Sequence, residues 1–352
     1  MVELLPVVWL CGPPASGKTV TAWEVFQRHC AERVAFLDVD QLRMLYGVPR
    51  GDVLARHMAS AIQVHRRAGV QALLVSGTLE AKEVPVIRRA VTGTADLRFC
   101  ELVVDPDALR ARNRERGLPE ELADDAISTG EHFRQAATPD VRIPASRRTL
   151  RGVADLVEHH LKWRPVRPVM MTSRPPALPK GCVVIFGARG VGCSTAAWNV
   201  TLKLSWQRHP TALVESDQLG FVHAPDEIRE VIRDAIMRDI AVNFAARTTL
   251  ITGEFSVEQL RALAGEGCML VRLDASEQTL RRRIATHAEV LWPHRPGDDL
   301  VGAHKEDQAA ILRESLQQTR HLAVAPATLH ITTDSLDPDQ VAHRIINGLN
   351  LP

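Results

Sequence analysis

The chain has 352 residues, of which 45% are hydrophobic, and its formal net charge is +1. This length suits two domains that each bury a core, and a charge so close to zero argues against nucleic acid or an anionic membrane as partner. Without a signal-peptide pattern or a run of about twenty apolar residues, and with no C-x-x-C pair among six cysteines, we expect a cytoplasmic protein with reduced thiols.

The first predicted element is an apolar strand at residues 7–11, which leads into a glycine-rich loop and then a helical pattern. The loop reads G-x-x-x-x-G-K-T, the P-loop sequence, in which backbone N–H groups at a helix N-terminus hold phosphates. We expect its lysine to reach the outer phosphates of ATP and its threonine hydroxyl to bind Mg²⁺. The predicted nucleotide-binding residues are Gly12, Pro13, Pro14, Ala15, Ser16, Gly17, Lys18, Thr19 and Val20.

A second predicted strand ends in two acids, Asp38 and Asp40. Ligands of open α/β sheets gather at the carboxyl ends of strands, and the i, i+2 spacing on an extended segment points both side chains the same way. One carboxylate of such a pair can hold Mg²⁺ while the other accepts the proton of an acceptor hydroxyl. We predict Asp40 as the base and Asp38 as the metal ligand. The reverse assignment stays open, and two solvated loop acids are the structural alternative.

Residues that follow the acids, together with the tip of the third predicted strand, are the natural place for acceptor contacts. The stretch 43–52 leaves the second strand directly, and the third strand ends close by in the same sheet. A structural loop and a turn cap are the alternatives for these positions. The predicted substrate residues are Arg43, Tyr46, Arg50, Ser76 and Thr78.

Four arginines follow the fourth predicted strand, on a helix whose first turn contains Asp105 and a proline. Because alternate positions of a helix do not share a face, at most two of these arginines converge on phosphate. The i, i+4 pair Arg112 and Arg116 is the candidate, and a solvated basic face is the alternative. Residues 117–135 predict a further helix that closes over the nucleotide and excludes water.

The same order of elements begins again near Gly181. A short apolar strand precedes a second loop at residues 187–194, which keeps both outer glycines and the hydroxyl but has Cys193 in place of Lys18. Four further pairs of segments match in the same order: 34–42 with 211–219, 73–77 with 249–253, 102–105 with 271–274, and 141–143 with 329–331. Five agreements in one order favour an internal repeat over coincidence.

Each copy therefore predicts five short apolar strands that alternate with amphipathic helices, the pattern of a parallel sheet covered on both faces. We predict an α/β fold of two tandem P-loop domains, at residues 1–162 and 181–352. The stretch 163–180 is rich in proline and basic residues, which is typical of a semi-rigid linker.

The second copy is degenerate, because a cysteine cannot supply the fixed positive charge that lysine gives to the phosphates. Arg189, inside the second loop, is a candidate substitute. Three uses stay open for this copy: a silent partner in an intramolecular pseudo-dimer, a regulatory nucleotide or acceptor site, and a second kinase with an altered loop. Further homo-oligomerisation is also left open.

The P-loop, the segment 36–43 and the helix after Asp105 resemble the small-molecule P-loop kinases, the group that contains gluconate kinase, adenylylsulfate kinase and chloramphenicol phosphotransferase. The resemblance implies that ATP, with Mg²⁺, donates its γ-phosphoryl to a hydroxyl of a small metabolite or natural product. In adenylylsulfate kinases the second strand ends in a similar Asp-x-Asp-Asn-x-Arg. Gln41 replaces the Asn here, so that substrate is not implied. The third strand lacks a terminal Asp, which leaves a second acidic ligand unassigned.

Two other functions are carried as alternatives. The first is a nucleotide-binding switch or ATPase, in which ATP occupancy changes domain docking or partner binding and no small molecule accepts the phosphoryl group. The second is a polynucleotide 5′-kinase. The near-zero net charge and an aromatic content of 4% count against the second, because single-stranded nucleic acid is usually held by basic grooves and stacking aromatics.

Overall fold

A computed structural model of the chain describes residues 4–47, 52–136, 139–161, 176–244, 246–290, 295–349 and 351. Most of the predicted linker 163–180 lies outside these residues. The described residues form two compact units, each built on one β-sheet. No described helix is both long enough and apolar enough to cross a membrane.

The strands are, in chain order, β1 (Leu5–Cys11), β2 (Val34–Asp38), β3 (Leu45–Tyr46), β4 (Ala72–Ser76), β5 (Ala95–Val103), β6 (Val141–Pro144), β7 (Cys182–Phe186), β8 (Thr211–Glu215), β9 (Thr248–Thr252), β10 (Met269–Asp274) and β11 (Leu329–Thr332). The helices are α1 (Lys18–Arg28), α2 (Val53–Arg67), α3 (Glu83–Val91), α4 (Pro106–Glu115), α5 (Glu120–Ala136), α6 (Leu150–Glu158), α7 (Cys193–Trp206), α8 (Asp226–Phe244), α9 (Val257–Gly265), α10 (Glu277–Ala288), α11 (Lys305–Leu322) and α12 (Pro338–Gly348). Short 3₁₀ helices follow β2 and β8, at Val39–Leu42 and Ser216–Leu219.

Unit 1 takes its described residues from Met1–Arg43, Gly51–Pro175 and Gln218–Asp239. Its sheet has the order β2-β4-β1-β5-β6, and all four strand pairs are parallel. Every residue of β1 is buried, which explains its continuous apolar run. The order places β1 at the centre, where the chain turns to opposite sides and leaves a crevice at the carboxyl ends of the strands. The predicted parallel five-stranded sheet is confirmed for this unit.

Unit 2 takes its described residues from Met44–Arg50, Pro176–Asp217 and Ile240–Pro352, and its sheet has the order β11-β10-β7-β9-β8-β3. The first five of these strands are parallel, but β3 pairs antiparallel with β8. The five strands predicted for the second copy are parallel, but β3 adds an antiparallel strand that the sequence did not predict, so this sheet is mixed. Without β3, β8 would be an edge strand with unpaired N–H and C=O groups, and a two-residue segment from the first half of the sequence pairs with it. Tandem duplication of a P-loop domain stays a prediction.

The core of unit 1 fixes α1 against the sheet. Val25 and Phe26 of α1 are buried in the same cluster as Phe36 of β2 and as Val153 and Val157 of α6. Complete burial of side chains of this size contributes roughly 1.5–3 kcal/mol each. Since α1 begins directly after the first loop, this packing also fixes where that loop lies.

Gly77 offers a test of how tightly the end of β4 packs against the acidic segment. Its φ is +142°, and a Cβ there would lie 2.1 Å from Cγ2 of Val39, the residue between the two acids. Gly93 also has a positive φ, +78°, but nothing lies within 4 Å of a Cβ at that position. We expect Gly77→Ala to lower the free energy of unfolding by about 3 kcal/mol, and Gly93→Ala by about 1 kcal/mol, because only the first adds a steric clash to backbone strain. Urea unfolding followed by circular dichroism measures both, and equal losses would contradict the described packing.

Candidate nucleotide-binding site

The loop between β1 and α1 has the backbone of a phosphate cradle. Gly12 and Gly17 have φ values of +137° and +92°. A Cβ on Gly12 would lie 2.9 Å from the carbonyl oxygen of Leu102 in β5, so the loop can approach the sheet this closely only with glycine. α1 begins at Lys18, and the first N–H groups of a helix have no partner within it. These groups and the helix dipole favour an anion at this point.

Lys18 is buried inside the loop, with 8% of its surface exposed. Its Nζ donates a hydrogen bond to the carbonyl oxygen of Pro13 at 2.7 Å. Burial lowers the pKa of Lys18 from 10.5 to about 8, although the nearby carboxylates of Asp40 and Asp38 act in the opposite direction. A phosphate bound in the loop would favour the charged form of this amine.

Three elements converge on the carboxylate of Asp38. Its Oδ2 accepts hydrogen bonds from Thr19 Oγ1 of α1 and Ser76 Oγ of β4, each at 3.2 Å, and the two hydroxyls lie 3.4 Å apart. Its Oδ1 accepts from the backbone N–H of Asp40 at 2.9 Å and so caps the 3₁₀ helix that follows. Burial, together with the nearby charge of Asp40, raises the pKa of Asp38 to about 6.

The donor set around Asp38 fits Mg²⁺. The metal prefers hard oxygen ligands, and in phosphate-transfer sites it is held by one or two carboxylates together with phosphates and water. Thr19 and Asp38 supply such oxygens next to the loop. Among the described residues there is no group of three or more His, Cys, Asp or Glu side chains that could hold a metal ion. The chain therefore offers part of a coordination sphere, which phosphate and water oxygens would complete.

The two acids lie in different environments. Asp38 is half-buried and hydrogen-bonded, whereas the Asp40 side chain is exposed. This difference agrees with a metal-binding role for Asp38 and leaves Asp40 open to an acceptor. The division of roles stays a prediction.

Arg112 contacts the loop itself rather than the open space above it. Its Nη1 donates to the carbonyl oxygens of Ala15 and Ser16 at 3.2 and 2.9 Å, and its Nη2 donates to that of Ala145 at 2.8 Å. Arg112 thereby holds the loop against the segment after β6. Arg116 is close enough to Lys18 for its charge to lower the pKa of that amine. Direct phosphate contacts by either arginine stay predictions.

The predicted substrate residues are only partly brought together. Ser76 lies in the Asp38 cluster, and Arg43 Nη2 donates to the carbonyl oxygen of Thr78 at 2.9 Å, which orders the tip of β4. Tyr46 belongs to unit 2, where its ring lies edge-on to that of Trp198 with centroids 6.0 Å apart. Arg50 lies outside the described residues.

The loop of unit 2 has similar geometry but different charges. α7 begins at Cys193 directly after Gly192, whose φ is +99°. Arg283 of α10 donates to the carbonyl oxygen of Val191 at 2.8 Å and to that of Thr333 at 3.0 Å, as Arg112 does in unit 1. Burial, together with the charges of Asp217 and Asp274, raises the pKa of Cys193 to about 12, so the thiol is neutral.

Arginines in unit 2 are paired with carboxylates near this loop. Arg295 donates from Nη1 to Glu215 Oε1 at 2.7 Å, and Glu215 is the residue that the sequence aligns with Asp38. Arg189, the candidate substitute for the missing lysine, forms an ion pair with Asp299. In unit 2 the charged side chains near the loop thus pair with one another: Arg295 with Glu215, and Arg189 with Asp299.

Sequence reasoning missed two features of the site. The carbonyl oxygen of Pro13, which holds Lys18, left no signal because any residue could supply it. The segment Gln218–Asp239 lies within the predicted second domain because it follows β8 in the sequence, yet it belongs to unit 1.

Comparisons with known proteins support the nucleotide-binding assignment of unit 1. Residues 7–137 match the family model of an AAA domain, and this stretch contains the loop, the acids and Arg112. Unit 1 therefore contains a P-loop domain. No curated protein matches the chain.

Several solved structures align with part or most of the chain, all at low identity. A sugar kinase from Janibacter sp. HTCC2649 is 18% identical over 48% of this chain and 99% of that chain, with a TM-score of 0.33. A gluconokinase from Sinorhizobium meliloti 1021 is 18% identical over 45% and 92%, with a TM-score of 0.32. The Pnkp1/Rnl/Hen1 RNA repair complex is 12% identical over 98% and 94%, also with a TM-score of 0.32. Sequence identities and TM-scores this low carry no inference about a substrate.

The contacts of Arg112 predict that loop geometry depends on it. Removing a charged donor that satisfies three carbonyl oxygens should weaken Mg-ATP binding by about 2 kcal/mol in Arg112→Ala. Arg114 is exposed on the same helix, so Arg114→Ala is the matched control and should change the affinity by less than about 0.5 kcal/mol. Isothermal titration calorimetry measures both, and equal affinities in the two variants would contradict a bracing role.

The shifted pKa values predict how Mg-ATP affinity depends on pH. Phosphate binding needs a charged Lys18, so affinity should fall as pH rises through about 8. Metal binding needs an ionised Asp38, so affinity should also fall as pH drops through about 6. Lys18→Arg should remove only the alkaline fall, because the guanidinium stays charged there. Calorimetry from pH 5 to pH 10 tests this, and an alkaline fall that persists in Lys18→Arg would contradict it.

Proposed function

We propose that the chain is an ATP-dependent phosphotransferase that moves the γ-phosphoryl group of Mg-ATP to a hydroxyl of a small metabolite or natural product. The observation that carries the proposal is the meeting of Lys18, Thr19 and Asp38 at the carboxyl edge of one parallel sheet, with the exposed Asp40 two residues from Asp38. Phosphoryl transfer requires mainly charge neutralisation, positioning and a group that accepts the acceptor's proton.

Each requirement has a residue in unit 1. The loop N–H groups and Lys18 bind the phosphates, and Arg112 keeps the loop in shape by holding its carbonyl oxygens. Mg²⁺, held by Thr19 and Asp38, would neutralise charge on the bound phosphates. Asp40 accepts the proton of the attacking hydroxyl. Because Asp38 accepts a hydrogen bond from the backbone N–H of Asp40, the two acids keep a fixed relation to each other.

Unit 2 serves this reaction as a non-catalytic partner. Cys193 is neutral where Lys18 is cationic, and Arg295 already neutralises Glu215. An incoming triphosphate would have to do without the lysine charge, and a metal would have to displace a guanidinium. Both costs oppose a second phosphotransfer site of the same kind.

Incubation with γ-labelled ATP, Mg²⁺ and a panel of sugars, polyols, hydroxy acids and hydroxylated natural products tests the proposal. We expect label transfer and ADP release that depend on the acceptor. Acceptor-independent ADP release would favour a nucleotide switch, and label on the 5′-hydroxyl of an oligonucleotide would favour a polynucleotide kinase.

Two variants test the residue roles. Asp40→Asn should lower kcat by about 10²–10⁴-fold with little change in Mg-ATP affinity, because general-base catalysis contributes on that order. Lys18→Ala should reduce kcat by at least about 10²-fold, as expected when one preorganised charge is removed. Unchanged turnover in Lys18→Ala would place the chemistry outside this loop, and unchanged turnover in Asp40→Asn would remove Asp40 as the base.

A further inference from the structure

Part of unit 1 comes from the second half of the chain. The segment Gln218–Asp239 follows Asp217, the residue that the sequence aligns with Asp40, and packs within unit 1. Met44–Arg50, which follows the acids of the first half, belongs in turn to unit 2. Each unit therefore contains one segment from the opposite half of the sequence. In both cases this segment closely follows the aligned pair of acids in its own half.

Backbone hydrogen bonds attach this segment to β2. The N–H of Phe36 donates to the carbonyl oxygen of Phe221 at 2.8 Å, and the N–H of His223 donates to that of Val34 at 2.9 Å. Residues 35 and 222 face each other between these bonds in an antiparallel bridge. Since β2 lies at the end of the sheet order, the segment covers what would otherwise be an open edge. β2 is the strand that ends at Asp38.

Side chains of the same segment pack on α1. The ring of Phe221 lies edge-on to that of Trp23, with centroids 4.9 Å apart, and also approaches Phe36 at 6.0 Å. The ring of His223 stacks on that of Phe26, with centroids 3.9 Å apart and 9° between the planes. Its Nε2 donates to the carbonyl oxygen of Phe26 at 2.8 Å. Two residues thus contact both α1 and β2.

The rest of the segment is integrated into the unit as well. Ile232, Ala235 and Ile236 of α8 are buried, and Asp239 accepts a hydrogen bond from the hydroxyl of Ser60 in α2. The segment is therefore held at both ends, with Phe221 and His223 between β2 and α1 at one end and Asp239 at the other.

We propose that Phe221 and His223 are positioning residues for Mg-ATP binding in unit 1. They hold α1 against β2, and these two elements carry Thr19 and Asp38, whose side chains lie 3.2 Å apart. Through these contacts the second half of the chain completes the nucleotide site of the first, although its own loop lacks the lysine. The inference rests on the proposed function only in that the ligand is Mg-ATP.

Unit 2 offers a matched control. Trp198 is the residue of α7 that the sequence aligns with Trp23, and it contacts Tyr46 of the exchanged segment in its own unit. Trp198→Ala removes an aromatic contact of the same kind inside unit 2. A general loss of stability would therefore affect both variants, whereas the proposed effect is confined to unit 1.

The test uses the full chain and calorimetric titration with Mg-ATP. Phe221→Ala and His223→Ala should each bind about tenfold more weakly, as expected for the loss of a half-buried aromatic pair, while Trp198→Ala binds like the unchanged chain. His223→Gln retains a donor for the carbonyl oxygen of Phe26 and Phe221→Leu retains apolar contact, so both should recover part of the affinity. Full affinity in both alanine variants would overturn the inference.

Hydrogen-exchange mass spectrometry provides a readout that needs no nucleotide. In Phe221→Ala, amides of α1 and β2 should exchange faster, and those of α7 and β8 should not change. If the unchanged chain fails to bind Mg-ATP, the proposed function is lost. In that case, faster exchange confined to α1 and β2 still supports the positioning contact, and unchanged exchange there overturns it.

Discussion

The carboxylate of Asp38 joins the parts of unit 1 on which the proposed phosphoryl transfer depends. One oxygen accepts hydrogen bonds from a hydroxyl of α1 and a hydroxyl of β4, and the other accepts from the backbone just beyond β2. Because the strands are parallel, their carboxyl ends meet at one edge, and this single acid can contact both neighbours. The loop, Lys18 and the acidic segment therefore keep a common geometry before any ligand arrives. Such preorganisation removes part of the cost of ordering the site during reaction.

The two loops show that shared geometry does not fix chemistry. Both begin a helix directly after a glycine with positive φ, and both are braced by an arginine on their carbonyl oxygens. The difference lies in charge: Lys18 is a buried cation beside Asp38, whereas Cys193 is neutral and Glu215 is paired with Arg295. A site that is electrically satisfied by its own side chains has less to gain from a charged ligand.

A short segment from each half of the sequence pairs with the sheet formed by the other half. The position of the linker therefore does not by itself define the limits of the two units. β3 and the residues near Phe221 each complete an edge of a sheet formed by the other half. Backbone pairing at an edge is nearly independent of side-chain identity, so local pattern gives no sign of which edge a short segment joins. Arg43 and Tyr46, for example, are three residues apart in the sequence but belong to different units.

The sequence by itself determined the elements with strong local rules: the P-loop, the apolar strands, the acids at the end of β2 and the repeated order of elements. Glycine at positive φ, a lysine at a helix start and continuous apolar runs leave few alternative structures, so local sequence is enough to specify these features. Tertiary structure alone decided that Arg112 braces the loop, that Arg295 neutralises Glu215 and that Phe221 packs on α1. Those contacts join residues far apart in the chain, and their partners are fixed by packing and distance, which no periodicity of a single segment records.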